Sequence, residues 1–163
     1  METPKEPGSG RTKLKKAIIL YNSRTGTTRK LGENIHAFLT ENNIVSEIRD
    51  IKEQQGQALN NADYVFLGCW TSGLLFIRQK PEKNWVRFAA GLPPLESRRT
   101  VLFTTYKIRT GSMFRNMAKC LNLVGVTDEV TWLESRNGAL PASYRDQLAK
   151  VINGNSCVTE QSH

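Results

Sequence analysis

Cysteine and histidine are both scarce: the 163 residues hold three cysteines, Cys69, Cys120 and Cys157, and two histidines, His36 and His163. The cysteines are odd in number and widely spaced, and no CxxC pair occurs, so neither a disulfide framework nor a zinc site is indicated. No apolar stretch approaches the roughly 20 residues that a membrane span needs. The N-terminal stretch METPKEPGSGRTKLKK lacks the long apolar centre of a secretory signal. These absences predict a cytoplasmic protein with no membrane partner. Acidic residues are outnumbered, 15 against 23 lysines and arginines, for a formal net charge of +8. Such an excess can mark an anionic or nucleic-acid partner. The basic residues are spread along the chain, however, which argues against nucleic acid. Part of the excess, Arg11, Lys13, Lys15 and Lys16, reads as a solvated lead-in.

What is present is alternation. Residues 1–12 are rich in proline, glycine and charge, and the sequence predicts a flexible tail there and another over 154–163, around one domain over 13–153. Ala17 to Tyr21 is a short, continuously apolar run, as expected of a strand buried on both faces. Leu31, Ile35, Phe38 and Leu39 then recur at helical spacing. A second strand is expected over Ile44 to Ile48, with Ile44, Ser46 and Ile48 on one face, and a third over Tyr64 to Gly68. Pro81 can open a helix carrying Trp85, Phe88 and Ala89 on one side, closed by Gly91, Pro93 and Pro94. Val101 to Phe103 gives a fourth strand, Met113, Met117 and Leu121 a further helical stripe, and Val126 to Leu133 a weaker fifth strand. Tyr144, Leu148, Val151 and Ile152 form the last helical stripe, after Pro141. Strands alternating with helices predict a doubly wound α/β domain with a parallel sheet and helices on both faces.

In such sheets ligands bind beyond the carboxyl ends of the strands, where the strand order reverses. Ser23-Arg24-Thr25-Gly26-Thr27-Thr28 falls at that kind of position. Gly26 allows a tight turn, successive N–H groups at a helix start attract an anion, and four hydroxyls can add donors. A single hydroxyl there would be read as a helix cap; four around a glycine favour a phosphate. Arg24 reads equally as a solvated side chain or a ligand contact. The six residues resemble the Ser/Thr-x-Thr-Gly-x-Thr phosphate loop of the flavodoxin-like family. Gly68-Cys69-Trp70-Thr71-Ser72-Gly73 is similar to that family's second flavin-contacting loop, and Thr104-Thr105-Tyr106 to the start of its third, which runs on through Lys107 to Gly111. The resemblance extends from about Lys16 to Ile152. It implies a three-layer sandwich with a five-stranded parallel sheet in the order 2-1-3-4-5, flavin mononucleotide (FMN) as cofactor, and electron transfer with a redox partner protein. It further implies cofactor contacts from Ser23, Arg24, Thr25, Gly26, Thr27, Thr28, Cys69, Trp70, Thr71, Ser72, Gly73, Thr105, Tyr106, Lys107 and Gly111.

The chemistry of those side chains is consistent with a broad, flat ring. Trp70 and Tyr106 lie just past the third and fourth strands, where either can stack on an isoalloxazine or line its edge; each is equally well explained as packing. Trp85 and Trp132 fit core or helix-face positions better, and Met113 and Met117 read as core. Cys69 has no evident acid–base partner and reads as a packing residue rather than a nucleophile. Other doubly wound families lack support. No GxGxxG follows the first strand for a dinucleotide, and no GxxxxGK[ST] occurs for a nucleoside triphosphate. Strands one and three end in Asn22 and Cys69 rather than in the carboxylates that hold Mg²⁺ in a receiver domain, and Asp50 and Asp63 read as surface residues at strand ends. No cysteine opens a phosphate loop with an arginine six residues on, which argues against a cysteine phosphatase. Many flavodoxins are acidic, and this chain departs from that pattern, with Arg24, Arg78, Lys80, Lys107 and Arg109 in or near the three loops. Positive charge there would favour an anionic reduced flavin or an acidic partner. Two alternatives therefore stand beside the carrier: an NAD(P)H-dependent quinone or flavin oxidoreductase on the same fold, and a flavin-free binding module.

Overall fold

The computed structural model describes residues 14–53, 59, 61–74, 77–93, 95, 99–107, 111–121 and 130–153, with backbone alone for 72–74, 77–79 and 130. The expected tails at 1–12 and 154–163, Arg109, and the Val126 end of the expected fifth strand lie outside the described residues. Five parallel strands, β1 (Lys16–Asn22), β2 (Val45–Asp50), β3 (Tyr64–Trp70), β6 (Arg99–Thr105) and β7 (Val130–Ser135), form a sheet in the order β2-β1-β3-β6-β7. In sequence order of these five strands that is the anticipated 2-1-3-4-5. Among the described residues the helices are α1 (Thr27–Glu41), α2 (Lys83–Ala90), α3 (Met113–Cys120) and α4 (Ala142–Ile152). None is long and apolar enough to cross a membrane.

The continuous apolar runs are explained by two cores, one on each face of the sheet. Alternate residues of the inner strands, Ile18 and Leu20 of β1, Val65 and Leu67 of β3, and Leu102 of β6, pack with Trp85 of α2 and with Met113 and Met117 of α3. The residues between them, Ile19, Phe66, Val101 and Phe103, pack with Leu31, Ile35 and Leu39 of α1 and Leu148 of α4. A strand covered on both faces cannot alternate apolar with polar, so β1 and β3 read as unbroken hydrophobic segments. β2, at the sheet edge, is the exception: Val45, Glu47 and Arg49 are exposed while Ser46 and Ile48 are half-buried. It starts at Val45 and not at Ile44, whose N–H is held by the Leu39 carbonyl at the end of α1.

Two local features differ from the sequence expectation. β4 (Ser72–Leu74) and β5 (Ile77–Lys80) pair antiparallel as a two-stranded sheet separate from the main one, with β5 packed beside α3. Trp132 is neither core nor helix-face: it sits on the edge strand β7, 40% exposed, with its ring stacked on Phe114 at 5.2 Å. Among the described residues no further strand pairs with β7, and the indole is partly open to solvent. Trp85, by contrast, is fully buried as expected. Asp50 closes β2, and Asp63, just before β3, accepts the Lys16 N–H at 2.9 Å.

Candidate functional site

The turn between β1 and α1 is built around Gly26, whose φ of +89° lies in the left-handed region that disfavours a side chain. Gly26 is the N-cap of α1, and no side chain caps the helix. Its own N–H is taken by the Ser23 hydroxyl at 3.0 Å, which closes the turn, and its carbonyl accepts the Lys30 N–H. The first helical turn holds no acidic residue. An uncapped helix start leaves N–H groups and the positive end of the helix dipole facing outward. Around it, Thr25 and Gly26 are exposed and Ser23 and Thr27 half-buried, with the Thr25 and Thr27 hydroxyls 3.4 Å apart. Thr28 behaves differently. Its side chain is buried, and its hydroxyl shares a hydrogen bond of 2.6 Å with that of Thr105 at the end of β6.

The second and third loops begin side by side because β3 and β6 pair in register, with Trp70 opposite Thr105. The Thr71 N–H donates to the Thr105 carbonyl, and the Tyr106 N–H to Ser135 at the end of β7. Thr104 is buried and ties this junction together, donating to the Cys69 carbonyl and pairing with the Thr71 hydroxyl. Trp70 and Tyr106 emerge half-buried from these ends, and Lys107 is exposed. The indole of Trp70 carries the Arg24 guanidinium over its ring, 5.3 Å from the centroid. Ser72 and Gly73 open β4, with no side-chain geometry described there, and Gly111 precedes α3 at a φ of +50°. The structure thus brings the first loop, Trp70, Thr71, Thr105 and Tyr106 to one end of the sheet.

Cys69 is fully buried, and its thiol donates to the Trp70 carbonyl. Burial pushes the thiol from 9.0 up to about 12, so it stays protonated and contributes packing, not a thiolate nucleophile. Beside it lies a polar contact that the sequence reading did not single out. Asn22, at the end of β1, is buried and donates from Nδ2 to Glu82 Oε2 at 2.8 Å. The same carboxylate oxygen caps α2 by accepting the Asn84 N–H. The sequence reading opened this helix at Pro81 and did not anticipate the Glu82 cap, nor its pairing with Asn22, from which 60 residues separate it. Gly138 was also missed. With φ at +80°, it passes so close to α1 that a Cβ would stand 2.8 Å from the Thr27 carbonyl.

Among the described residues no group of three or more histidine, cysteine or acidic side chains gathers to hold a metal ion. A shallow groove of about 310 Å³ opens at the opposite, amino-terminal end of the strands, between Leu14, Ile44 and Ile152. None of the expected site residues lines it.

A family model described as the flavodoxin domain matches residues 18–129, more than half of the chain. No curated protein matches at a significant level. Among solved structures, two-electron reduced flavodoxin from Megasphaera elsdenii superposes with a TM-score of 0.65 at 20% identity, over 83% of this chain and 96% of that one. Rubredoxin oxygen oxidoreductase from Desulfovibrio gigas gives 0.65 at 14% identity, with 86% of this chain matched; the chain spans only 35% of that protein. A flavodoxin mutant from Fusobacterium nucleatum bound to FMN gives 0.52 at 16% identity, over 73% of this chain and 68% of that one. At such identities the likeness is one of fold.

Proposed function

Because the chain belongs to the flavodoxin domain family, we propose that it binds FMN at the carboxyl end of the sheet and serves in electron transfer. The observation that carries this reading is the β1–α1 turn: an uncapped helix start free of acidic side chains, closed by Gly26 and ringed by accessible hydroxyls. The donor set suits an oxyanion such as a phosphate, since the turn offers N–H groups, hydroxyls and a guanidinium and no carboxylate. Ser23, Thr25 and Thr27 hold the phosphate through their hydroxyls and the N–H groups of the first helical turn. Thr28 contributes its N–H while its side chain anchors the turn to β6. Trp70 and Tyr106 would hold the flavin ring system, and the backbone groups of Thr71, Ser72, Gly73, Lys107 and Gly111 would supply its polar contacts.

When bound, the flavin supplies the capacity to take up and give back electrons; the protein supplies position, access and field. The buried Thr104, Thr71 and Cys69 contacts make the base of the ring site rigid, and the half-buried aromatic rings exclude water from its faces. Lys80 and Lys107 are exposed at this end and suit an acidic redox partner protein. The test has two arms. The purified protein should be yellow, and Thr25→Ala with Thr27→Ala should weaken FMN binding far more than riboflavin binding, since riboflavin lacks the phosphate. Equal weakening of both with the fold intact would remove the phosphate assignment. Steady oxidation of NAD(P)H with a quinone as acceptor would replace the carrier by an oxidoreductase.

A further inference from the structure

Arg24 belongs to the turn that would hold the phosphate, yet its guanidinium lies over the Trp70 ring, 5.3 Å from the centroid. Arg24 reaches the indole from that turn, so one face of Trp70 is covered by a side chain of the proposed phosphate loop. The stacking surface is held by the chain's own cation. We propose that Arg24 makes ring binding at Trp70 conditional on a phosphate, so that the site selects a phosphorylated flavin over its dephosphorylated form. This inference rests on the flavin reading above and adds Arg24 to the residues that set its specificity.

The argument is a competition between two partners for one guanidinium. An exposed cation–π contact holds its partner by roughly two- to fivefold in an equilibrium. A charge-assisted bond from a planar guanidinium to a phosphate is stronger, and its two N–H groups match two phosphate oxygens. A ligand that brings a phosphate to the turn therefore draws Arg24 off the indole and frees the face that its own ring then covers. A ligand with a ring and no phosphate must displace the cation and gives it nothing in return. Differential affinity for the two positions of Arg24 is what lets a ligand shift between them. Arg24 is exposed and neither hydrophobic core includes it, so its replacement leaves the fold in place.

The test is Arg24→Gln, with dissociation constants for FMN and riboflavin measured by flavin fluorescence. FMN affinity should fall roughly tenfold or more, from the lost charged contact. Riboflavin affinity should rise by about two- to fivefold, from the uncovered indole. Changes of the same sign for both ligands, or no change in either, would overturn the proposal. A second measurement needs no flavin. Inorganic phosphate added to the flavin-free protein should change its tryptophan fluorescence, and the change should vanish in both Arg24→Gln and Trp70→Phe. Its persistence in both variants would also overturn the proposal. If the wild-type protein binds neither flavin, the cofactor assignment fails, while the phosphate titration still decides whether Arg24 leaves Trp70 for an anion.

Discussion

The hydrogen bond between Thr28 and Thr105 joins the start of α1 to the end of β6, and its burial makes its contribution measurable. The two hydroxyl oxygens are 2.6 Å apart, and the residues are only 1% and 5% exposed. Thr28→Val exchanges a hydroxyl for a methyl of nearly the same shape and leaves the Thr105 hydroxyl buried without its partner. Stranding such a group costs about 1–3 kcal/mol, whereas removing both partners together can be almost neutral. Each single variant should therefore be destabilised by about 1–3 kcal/mol, and the double variant Thr28→Val with Thr105→Val should be more stable than either. In a domain of this size the single losses correspond to a melting shift of about 2–4 °C per kcal/mol. Urea unfolding followed by circular dichroism measures all four proteins. Free energies that add within about 0.5 kcal/mol would show that the two hydroxyls do not depend on each other and refute the reasoning. The double variant also tests the site: if Thr28 acts on the phosphate only through its N–H, FMN affinity in that variant stays within a few-fold of wild type. A loss as large as that of the Thr25 and Thr27 pair would put the Thr28 hydroxyl on the phosphate itself.

Three further outcomes are expected. Gly68→Ala places a Cβ 2.1 Å from the buried Phe103 ring and should cost about 1–3 kcal/mol or more in urea unfolding, with part recovered by Phe103→Leu; an unchanged midpoint would contradict the packing. Burial raises the Cys69 thiol from 9.0 to about 12, so the stability tied to its neutral form is complete below pH 9.0 and is lost as pH rises toward 12. Cys69→Ala should thus flatten the alkaline loss of stability, and equal slopes in wild type and variant would refute this. Asn22→Leu removes a bond of 2.8 Å to the Glu82 carboxylate and should cost about 1–3 kcal/mol by thermal unfolding; a change under about 0.5 kcal/mol would show that Glu82 is satisfied without it.

The elements that were legible in the sequence are those whose pattern is set by burial alone. Ala17 to Tyr21 and Tyr64 to Gly68 read as strands because helices cover both faces of the inner sheet, and α1 showed itself by the spacing of Leu31, Ile35, Phe38 and Leu39. Legibility failed where partners far apart in sequence decide the outcome. Thr28 carried the same signal as Thr25 and Thr27, a hydroxyl beside a glycine; only the register that sets Trp70 against Thr105 reveals that one of the three turns inward. Trp132 reads as a core or helix-face residue, yet position on an edge strand leaves it partly open. The β4–β5 hairpin was invisible because strands of three and four residues leave too short a period to recognise. Gly68 was read as a strand end, and nothing local named Phe103 as the ring that lies over it.

The distribution of contacts at the carboxyl end of the sheet separates what the fold needs from what a ligand needs. The bases of the loops are tied to one another: Asn22 to Glu82, Thr71 to Thr105 and Thr104, Thr28 to Thr105, and Tyr106 to Ser135. Gly138 adds a close backbone approach to Thr27. These contacts involve groups that are buried or part-buried, so breaking one strands a polar atom and costs stability. The tips are different. Ser23, Arg24, Thr25 and Lys107 are exposed or half-exposed, and substitution there removes ligand contacts without opening the core. A site built this way holds the backbone N–H groups of its turn in place before any ligand arrives, which lowers the ordering cost of binding. It follows that stability and ligand selectivity should respond to separate sets of residues. Within the β1–α1 turn the division falls between neighbours: Thr27 faces outward, and Thr28 holds the turn to the sheet.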